Sequence, residues 1–342
     1  MPGPVVQFLS TYTARVADYR QAASNAAVLI ERILHDAGLH PTLLTHRAKS
    51  VDSLRLKIFE HKYKYPKRDV TDLIGVRVVT YYRDEVDLAI NALRDSPRLR
   101  VDDRRSIDKR VELKPTQFGY RSVHLIVQTD SLSASQPGFQ LLGSTWFEIQ
   151  VRSLLDHSWA SIEHELRYKS KIDYPLEPTR RFAALAGTLE LLDTEFEALR
   201  TFRDRLISIY ISKYRAGEEL SEELDTTRMI ALMSILHPGP GWVLGEDGER
   251  ALSFAVAAQM VGALKSAGIR KGFVLAREIR SGAIQGLMKK YARITGLSVQ
   301  ELSHLALLSL VVGRRKPRVL AQYFPGFFED PDFSQVIRSR RI

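Results

Sequence analysis

Residues 147–152 alternate strictly between apolar and polar side chains, and this alternation limits the local fold more than any other pattern in the chain. It predicts a β-strand whose one face carries Glu148, Gln150 and Arg152 while the other face packs into a core. A carboxylate, an amide and a guanidinium in one row suit a site that holds a metal ion and phosphates. From this segment alone, an amphipathic edge strand with a solvated face is the alternative.

A second polar cluster lies upstream, where Arg47 and Lys49 precede a predicted helix that carries Ser53 and Lys57 one turn apart. The free N–H groups and the positive dipole end of a helix start favour phosphate. Ser53 can donate a hydrogen bond, and the lysines add mobile positive charge. The segment therefore predicts an anion site, with a solvated basic helix as the alternative.

Residues 72–82 predict a buried, β-branched strand with Asp72 at its entrance and Arg77 inside it. These two residues are five positions apart, so on one regular strand their side chains would point to opposite faces. Both can therefore face one ligand only if Asp72 lies before the regular pleat begins.

Residues 119–127 predict another strand, which follows a loop that contains Lys114. A glycine leaves Tyr120 free to present its ring beside Arg121, which suits stacking on a nucleobase. Taken singly, Tyr120 also fits a core position at a strand end, and His124 also fits a buried, hydrogen-bonded histidine.

Composition agrees with a ligand of negative charge. The 342 residues, 44% hydrophobic and 26% charged, can bury one sizeable core and a smaller one. A net charge of +10 and a pI near 9.7 favour nucleotides, RNA or ribosomes. Without cysteines, a signal-peptide pattern or an apolar run of ~20 residues, the chain is expected to be a cytoplasmic protein that does not enter a membrane.

The patterns predict an α+β domain built on a mixed sheet, followed by a mainly helical domain. Residues 5–39 read as helix with a stop at Gly38, and residues 178–215 as a long helix. A helix over 154–169 is expected to bury Leu155, Ile162 and Leu166. Residues 130–138 read as a long exposed hairpin loop. The predicted boundary at Ala216 gives domains 1–216 and 217–342.

The second region carries less information about function. Residues 292–302 have the small residue, glycine and capping box of a helix-turn-helix. The apolar run 305–312 that follows suits a buried packing helix better than one in a DNA groove, so DNA binding is disfavoured. Basic clusters at 314–318 and 338–341 suit RNA contacts or a solvated tail.

Taken in order, the four polar segments resemble the synthetase domain of the RelA/SpoT family of alarmone synthetases over roughly residues 40–170. Arg-x-Lys-x-x-x-Ser-x-x-x-Lys falls on residues 47–57 and the Asp with an Arg five residues later on 72–77. Gly-Tyr-x-Ser-x-His falls on 119–124 and Glu-x-Gln-x-Arg on 148–152. The resemblance implies a nucleotidyltransferase-like mixed sheet flanked by helices, with core motifs in residues 47–170.

The resemblance also implies a role for each matched residue, with Mg2+ as the cofactor. Glu148 and Asp72 would be catalytic and would ligate the metal, with Glu148 as general base. ATP would be bound by Arg47, Lys49, Ser53, Lys57 and Arg77, with the two arginines around the adenine. The acceptor would be bound by Lys114, Tyr120, Arg121 and His124. Gln150 and Arg152, together with His124, would steady the phosphates.

The implied reaction moves pyrophosphate from ATP to the 3′-hydroxyl of GDP or GTP. A toxin-like relative would instead modify the 3′-CCA end of tRNA, with the C-terminal region as a fused antitoxin or sensor. A third reading is an inactive nucleotide-binding regulator, against which the carboxylates Asp72 and Glu148 argue. Because only about forty residues precede the first motif, synthesis without the hydrolase half of long family members is expected. Self-association is left open. Basic residues near the acceptor loop favour an acceptor with its own phosphates: Arg104, Arg105, Lys109, Arg110, Lys114 and Arg121.

Overall fold

The computed structural model describes residues 3–112, 121–168, 176–218, 221–237 and 250–338. Contacts between Cα atoms divide the chain into two units, residues 1–198 and 199–342. The boundary predicted at Ala216 lies one residue after the end of the helix that crosses this division, and it stays a prediction. Among the described residues, no helix is long and apolar enough to span a lipid bilayer.

The first unit is built on a six-stranded mixed sheet, as the sequence predicts. Its strands are β1 (Leu43–Ala48), β2 (Ile74–Thr80), β3 (Leu99–Val101), β4 (Ile107–Asp108), β5 (Val123–Thr129) and β6 (Phe147–Ser153). The order is β1-β2-β6-β5-β3, with β4 also on β5. The two central strands β2 and β6 run parallel, and all other pairs are antiparallel.

Helices cover one face of this sheet. The helices of the first unit are α1 (Pro4–Ala14), α2 (Val16–Asp36), α3 (Val51–His61), α4 (Pro66–Asp69), α5 (Arg83–Asp95), α6 (Lys109–Glu112), α7 (Ser131–Ala134), α8 (Gln140–Ser144) and α9 (Leu154–Glu163). A π-helical turn, His164–Tyr168, follows α9, and α10 (Leu176–Arg215) continues into the second unit. Residues of α2 and α5 pack on the apolar side of β2, β5 and β6. The opposite face is left to the polar residues, because side chains alternate along each strand.

Three local predictions need correction. The N-terminal helix is two helices broken at Arg15, because α1 packs in a small core with α3 while α2 packs on the sheet. Asp130 caps the short helix α7, so residues 130–138 do not form a plain loop. Ile162 and Leu166 are 56% and 50% exposed, whereas Trp159 is buried. The π-helical turn after α9 changes the helical phase at Leu166, whereas Ile162 precedes that turn within α9 and its exposure is not explained by it.

The second unit is helical, as predicted, and has its own apolar core. Its helices are α11 (Thr226–Leu236), α12 (Arg250–Ser266), α13 (Gly272–Arg280), α14 (Gly282–Thr295), α15 (His304–Arg315), α16 (Pro317–Tyr323), α17 (Pro325–Glu329) and α18 (Pro331–Arg338). Gly296 ends α14 in the left-handed conformation, and Ser298 and Glu301 form the predicted capping box. Every residue of α15 from His304 to Gly313 is buried, which confirms a packing helix.

Candidate active site

The polar face of the sheet brings three of the predicted segments together. Strand register pairs Gly75 with Glu148 and Arg77 with Gln150 between β2 and β6. The antiparallel neighbour β5 places His124 beside Gln150. Because facing residues of neighbouring strands project to the same side, these side chains share one face. The sheet therefore pairs residues that lie 26 to 73 positions apart in the chain.

A continuous row of hydrogen bonds runs across β5 and β6. His124 contacts the Glu148 carboxylate through Nδ1 at 2.7 Å from Oε1, and Ser122 through Nε2 at 2.7 Å from Oγ. Gln150 donates from Nε2 to Glu148 Oε2 at 2.9 Å, and its Oε1 accepts from Arg152 Nη2 at 3.1 Å. The predicted row on β6 is thus confirmed as one face, and each of its members holds the next.

The environment of Glu148 keeps its carboxylate charged. Burial raises its pKa, but the hydrogen bonds and charge of His124 and the amide of Gln150 outweigh burial, so the net pKa is lowered. A carboxylate has about four lone-pair positions. Each oxygen of Glu148 therefore keeps accepting capacity beyond its one hydrogen bond, which a base and a metal ligand both require.

A second group forms where α3 meets the entrance of β2. Lys49 Nζ lies 2.7 Å and Lys57 Nζ 2.9 Å from the same oxygen, Asp72 Oδ2. The hydrogen bonds from the two lysines outweigh burial and lower the pKa of Asp72. Asp72 precedes β2, as the alternation of side chains along a strand required. The family resemblance implied phosphate binding by the lysines and metal binding by Asp72, and it did not predict that the three form one ion triad.

The helix start after Lys49 is confirmed. Ser50, at the N-cap of α3, accepts a hydrogen bond from the backbone N–H of Ser53, and its hydroxyl donates to the Ser53 hydroxyl at 2.8 Å. Both serines are exposed. Ser53 is therefore accessible at the first turn of a helix, where N–H groups and the helix dipole favour an anion.

The two predicted adenine-binding arginines line one cavity. Its volume is about 120 Å³, and it is bounded by Thr45, His46, Arg47, Gly75, Val76, Arg77 and Gln150. Arg47 lies over Gly75, where a Cβ atom would stand 3.7 Å from Arg47 Cγ. The missing side chain at residue 75 thus leaves space beside two guanidinium groups, which can stack on a planar ring.

The acceptor side is only partly described. Lys114 and Tyr120 lie outside the described residues, so their predicted roles stay predictions. Arg121 is buried, and its Nη1 lies 2.8 Å from Glu190 Oε1 on α10. Of the basic residues expected near the acceptor, Arg105 pairs with Asp102, and Arg110 with Asp87 and Asp108.

Two further residues near the site were not predicted to belong there. His157, in the first turn of α9, has a pKa lowered by burial and by the charges of Arg152 and Arg77. Ser122 holds the second ring nitrogen of His124. The Gly-Tyr-x-Ser-x-His spacing contained the signal for Ser122, since residues 122 and 124 share a strand face.

The residues present fit a divalent cation with hard oxygen ligands. Asp72 Oδ1 is buried and has no hydrogen-bond partner among the described residues, and both Asp72 and Glu148 have lowered pKa values. Within the same part of the chain, no three His, Cys, Asp or Glu side chains cluster as a complete metal site. Two carboxylates leave room for phosphate oxygens and water, the ligand set that Mg2+ prefers.

A sheet face with a charged carboxylate, a cationic helix start and an arginine-lined cavity defines a phosphate-handling enzyme domain. Comparison with known families narrows this class. Residues 46–173 match the family described as "Region found in RelA / SpoT proteins". The first unit is thus an enzyme domain of the RelA/SpoT type, the type found in pyrophosphokinases.

Two relatives from Bacillus subtilis (strain 168) support the same assignment. GTP pyrophosphokinase YjbM is 28% identical over 209 residues, which cover 59% of this chain and 94% of that protein. GTP pyrophosphokinase YwaC is 26% identical over 163 residues, which cover 45% of this chain and 71% of that protein. The crystal structure of small alarmone synthetase 1 from Bacillus subtilis is 25% identical, with a TM-score of 0.48, and covers 57% of this chain and 98% of that one.

Proposed function

We propose that the first unit transfers the pyrophosphoryl group of ATP, with Mg2+, to the 3′-hydroxyl of GDP or GTP. The observation that carries this proposal is the row from Ser122 through His124, Glu148 and Gln150 to Arg152, in which Gln150 also lines the cavity of the two arginines. The row supplies a charged general base, Glu148, in a fixed orientation, and the neighbouring cavity supplies a place for the nucleobase. The two GTP pyrophosphokinases that resemble this chain make a guanosine acceptor the first choice.

The proposed transfer forms one phosphorus–oxygen bond and breaks another, and residues of this chain supply the base and the positive charge for it. Glu148 accepts the proton of the acceptor's 3′-hydroxyl, and the resulting oxygen attacks the β-phosphorus of ATP. The bond from that phosphorus to the oxygen bridging the α-phosphate breaks, and AMP leaves with the electron pair. Arg152 stabilises negative charge on the phosphates during transfer. His124 keeps the Glu148 carboxylate oriented from Oε1 while Gln150 does so from Oε2.

Asp72 and Glu148 would hold Mg2+, which would supply positive charge to the phosphates of ATP. Lys49 and Lys57 share one oxygen of the single carboxylate Asp72. The phosphates of ATP carry several negative charges and attract the two ammonium groups more strongly than one carboxylate does. We therefore expect the ion triad to open as the ATP phosphates enter, so that the lysines and Ser53 bind them.

The acceptor is decided by one experiment. The protein is incubated with γ-labelled ATP and Mg2+ together with GDP, GTP or bulk tRNA, and the labelled product is identified. Label on GDP or GTP and release of AMP support the proposal. Label on tRNA would support the toxin-like alternative. ATP binding without transfer to any acceptor would support the inactive nucleotide-binding regulator.

We also propose that residues 217–342 form an accessory domain that sets the activity of residues 1–216. The separate apolar core of the second unit supports this, because such a core can persist without the catalytic unit. Truncation after Ala216 should leave a soluble enzyme. Higher activity and growth arrest on expression would indicate restraint by the helical domain. A soluble truncation with unchanged activity in both assays would remove the regulatory role.

A further inference from the structure

Helix α10 carries acidic side chains that reach into a buried polar cluster beside the active site. Ser153 donates from Oγ to Asp193 Oδ2 at 2.5 Å, and Arg121 Nη1 lies 2.8 Å from Glu190 Oε1. Arg121, Asp193 and Ser153 are 5%, 3% and 0% exposed. Residues 190 and 193 lie beyond the matched RelA/SpoT region, which ends at residue 173.

The two contacts hold neighbouring ends of the two strands that carry the catalytic row. Register pairs Val123 of β5 with Val151 of β6. Continued by two residues, it brings Arg121 beside Ser153, the last residue of β6. Glu190 and Asp193 are three residues apart, so they share one face of α10. One helix face therefore contacts the start of β5 and the end of β6 together.

Each contact leads to a residue of the site through one covalent neighbour. Arg121 precedes Ser122, whose hydroxyl is 2.7 Å from His124 Nε2, and His124 Nδ1 is 2.7 Å from Glu148 Oε1. On the other strand, Ser153 follows Arg152, which donates to Gln150. Displacement of the start of β5 would move the Ser122 end of the hydrogen-bonded row, and displacement of the end of β6 would move its Arg152 end.

A gain in folding stability does not by itself explain why these charged groups are buried together. Burying a guanidinium and carboxylates away from water carries a desolvation penalty that their attraction often fails to exceed. The neighbouring Asp156, whose backbone N–H donates to Ser153 Oγ, has a pKa raised to about 6, and the pKa of Asp193 is raised as well, both chiefly by burial. Charges held at such a cost are better explained by the geometry that they impose.

We infer that Glu190 and Asp193 are positioning residues for the transfer reaction, which hold the adjacent ends of β5 and β6 so that His124 and Glu148 keep their alignment. The inference rests on the proposed function for its catalytic consequence, but its structural consequence is independent of it. Loss of Glu190 loosens the start of β5. Loss of the acceptor at residue 193 loosens the end of β6.

The first test compares Glu190→Gln with Glu195→Gln, an exposed glutamate on the same helix. Amide hydrogen exchange of the peptide over residues 121–127 is measured in full-length protein without nucleotide. Glu190→Gln should exchange at least about ten-fold faster than the control there, with the same melting temperature. Equal exchange in the two variants overturns the inference, whatever the protein catalyses.

The second test separates positioning from folding and from nucleotide binding. In the transfer assay, Glu190→Gln should lower kcat at least about ten-fold relative to Glu195→Gln, with affinity for α,β-methylene-ATP unchanged within about two-fold. Asp193→Asn should recover most of the kcat that Asp193→Ala loses, because the amide oxygen still accepts from Ser153. Equal kcat for the Asn and Ala variants contradicts the role of Asp193. Absence of transfer in the unmodified protein refutes the proposed function, and the exchange test still decides the inference.

Discussion

Replacement of Asp156 by asparagine tests the buried polar cluster through its effect on stability. Burial, with the charge of Asp193, raises the pKa of this carboxyl against the opposing effects of Arg121, Ser153 and Arg83. The change is from an ordinary value of 3.8 to about 6. At 1.36 kcal/mol per pKa unit, the folded protein binds this proton more tightly than the unfolded chain by about 3 kcal/mol.

The direction of the pH dependence follows from this raised pKa. The stabilising proton is fully present in the folded state below pH 3.8 and is lost as the pH rises through about 6. The free energy of unfolding of the unmodified protein should therefore fall across this interval. Asparagine has the same shape and cannot ionise. Asp156→Asn should match the unmodified protein near pH 4 and exceed its stability by about 3 kcal/mol at pH 8.

Urea unfolding at several pH values measures this difference. Trp159 is buried one turn after Asp156 and reports on the first unit. Phenylalanine at Trp146 and Trp242 leaves it as the single tryptophan of the three. Asp52→Asn, at a carboxylate 94% exposed, is the matched surface control. A difference for Asp156→Asn that does not change between pH 4 and pH 8 would refute the reasoning.

Three further changes test the site. Glu148→Gln should abolish transfer, lowering kcat at least about a thousand-fold, because it removes the general base and a metal ligand. Affinity for an ATP analogue should stay within a few fold, because the cavity is unchanged. Normal turnover would contradict the role of Glu148. Gly75→Val should weaken ATP-analogue binding at least about ten-fold, because its side chain fills the space beside Arg47. Gly75→Ala, whose Cβ would stand at an ordinary 3.7 Å from Arg47, should bind the analogue normally in a calorimetric titration. Equal affinities of the two variants would show that the cavity is not used. Chelation with EDTA should stop transfer and Mg2+ should restore it, and persistence of transfer in EDTA would exclude a catalytic metal.

Much of the first unit could be predicted from the sequence, because its signals are local. Alternation placed Glu148, Gln150 and Arg152 on one strand face, and the structure confirms that face. The helix start after Lys49 and the stop at Gly38 were both predicted, the latter from glycine's tolerance of positive φ. The helical character of the second unit followed in the same way.

Predictions failed where one element depends on another. The stripe expected on the helix after residue 154 assumed an unbroken period, but a π-helical turn changes the phase at Leu166. Trp159, which the stripe did not include, is buried and donates a hydrogen bond to the Phe182 carbonyl of α10. The N-terminal helix breaks at Arg15 because its two halves serve different cores. Neither cause is visible in the local pattern of apolar residues.

What the sequence determined by itself is therefore the strand face that carries Glu148, Gln150 and Arg152 and the nearby helix ends, since periodicity and capping act within a few residues. Only the tertiary structure decided which charges are partners. Lys49 and Lys57 share Asp72, His124 faces Glu148, and α10 reaches Arg121 and Ser153 across more than thirty residues of sequence. Such partnerships depend on strand register and helix docking, which bring distant residues within a few ångströms and which no short-range pattern encodes.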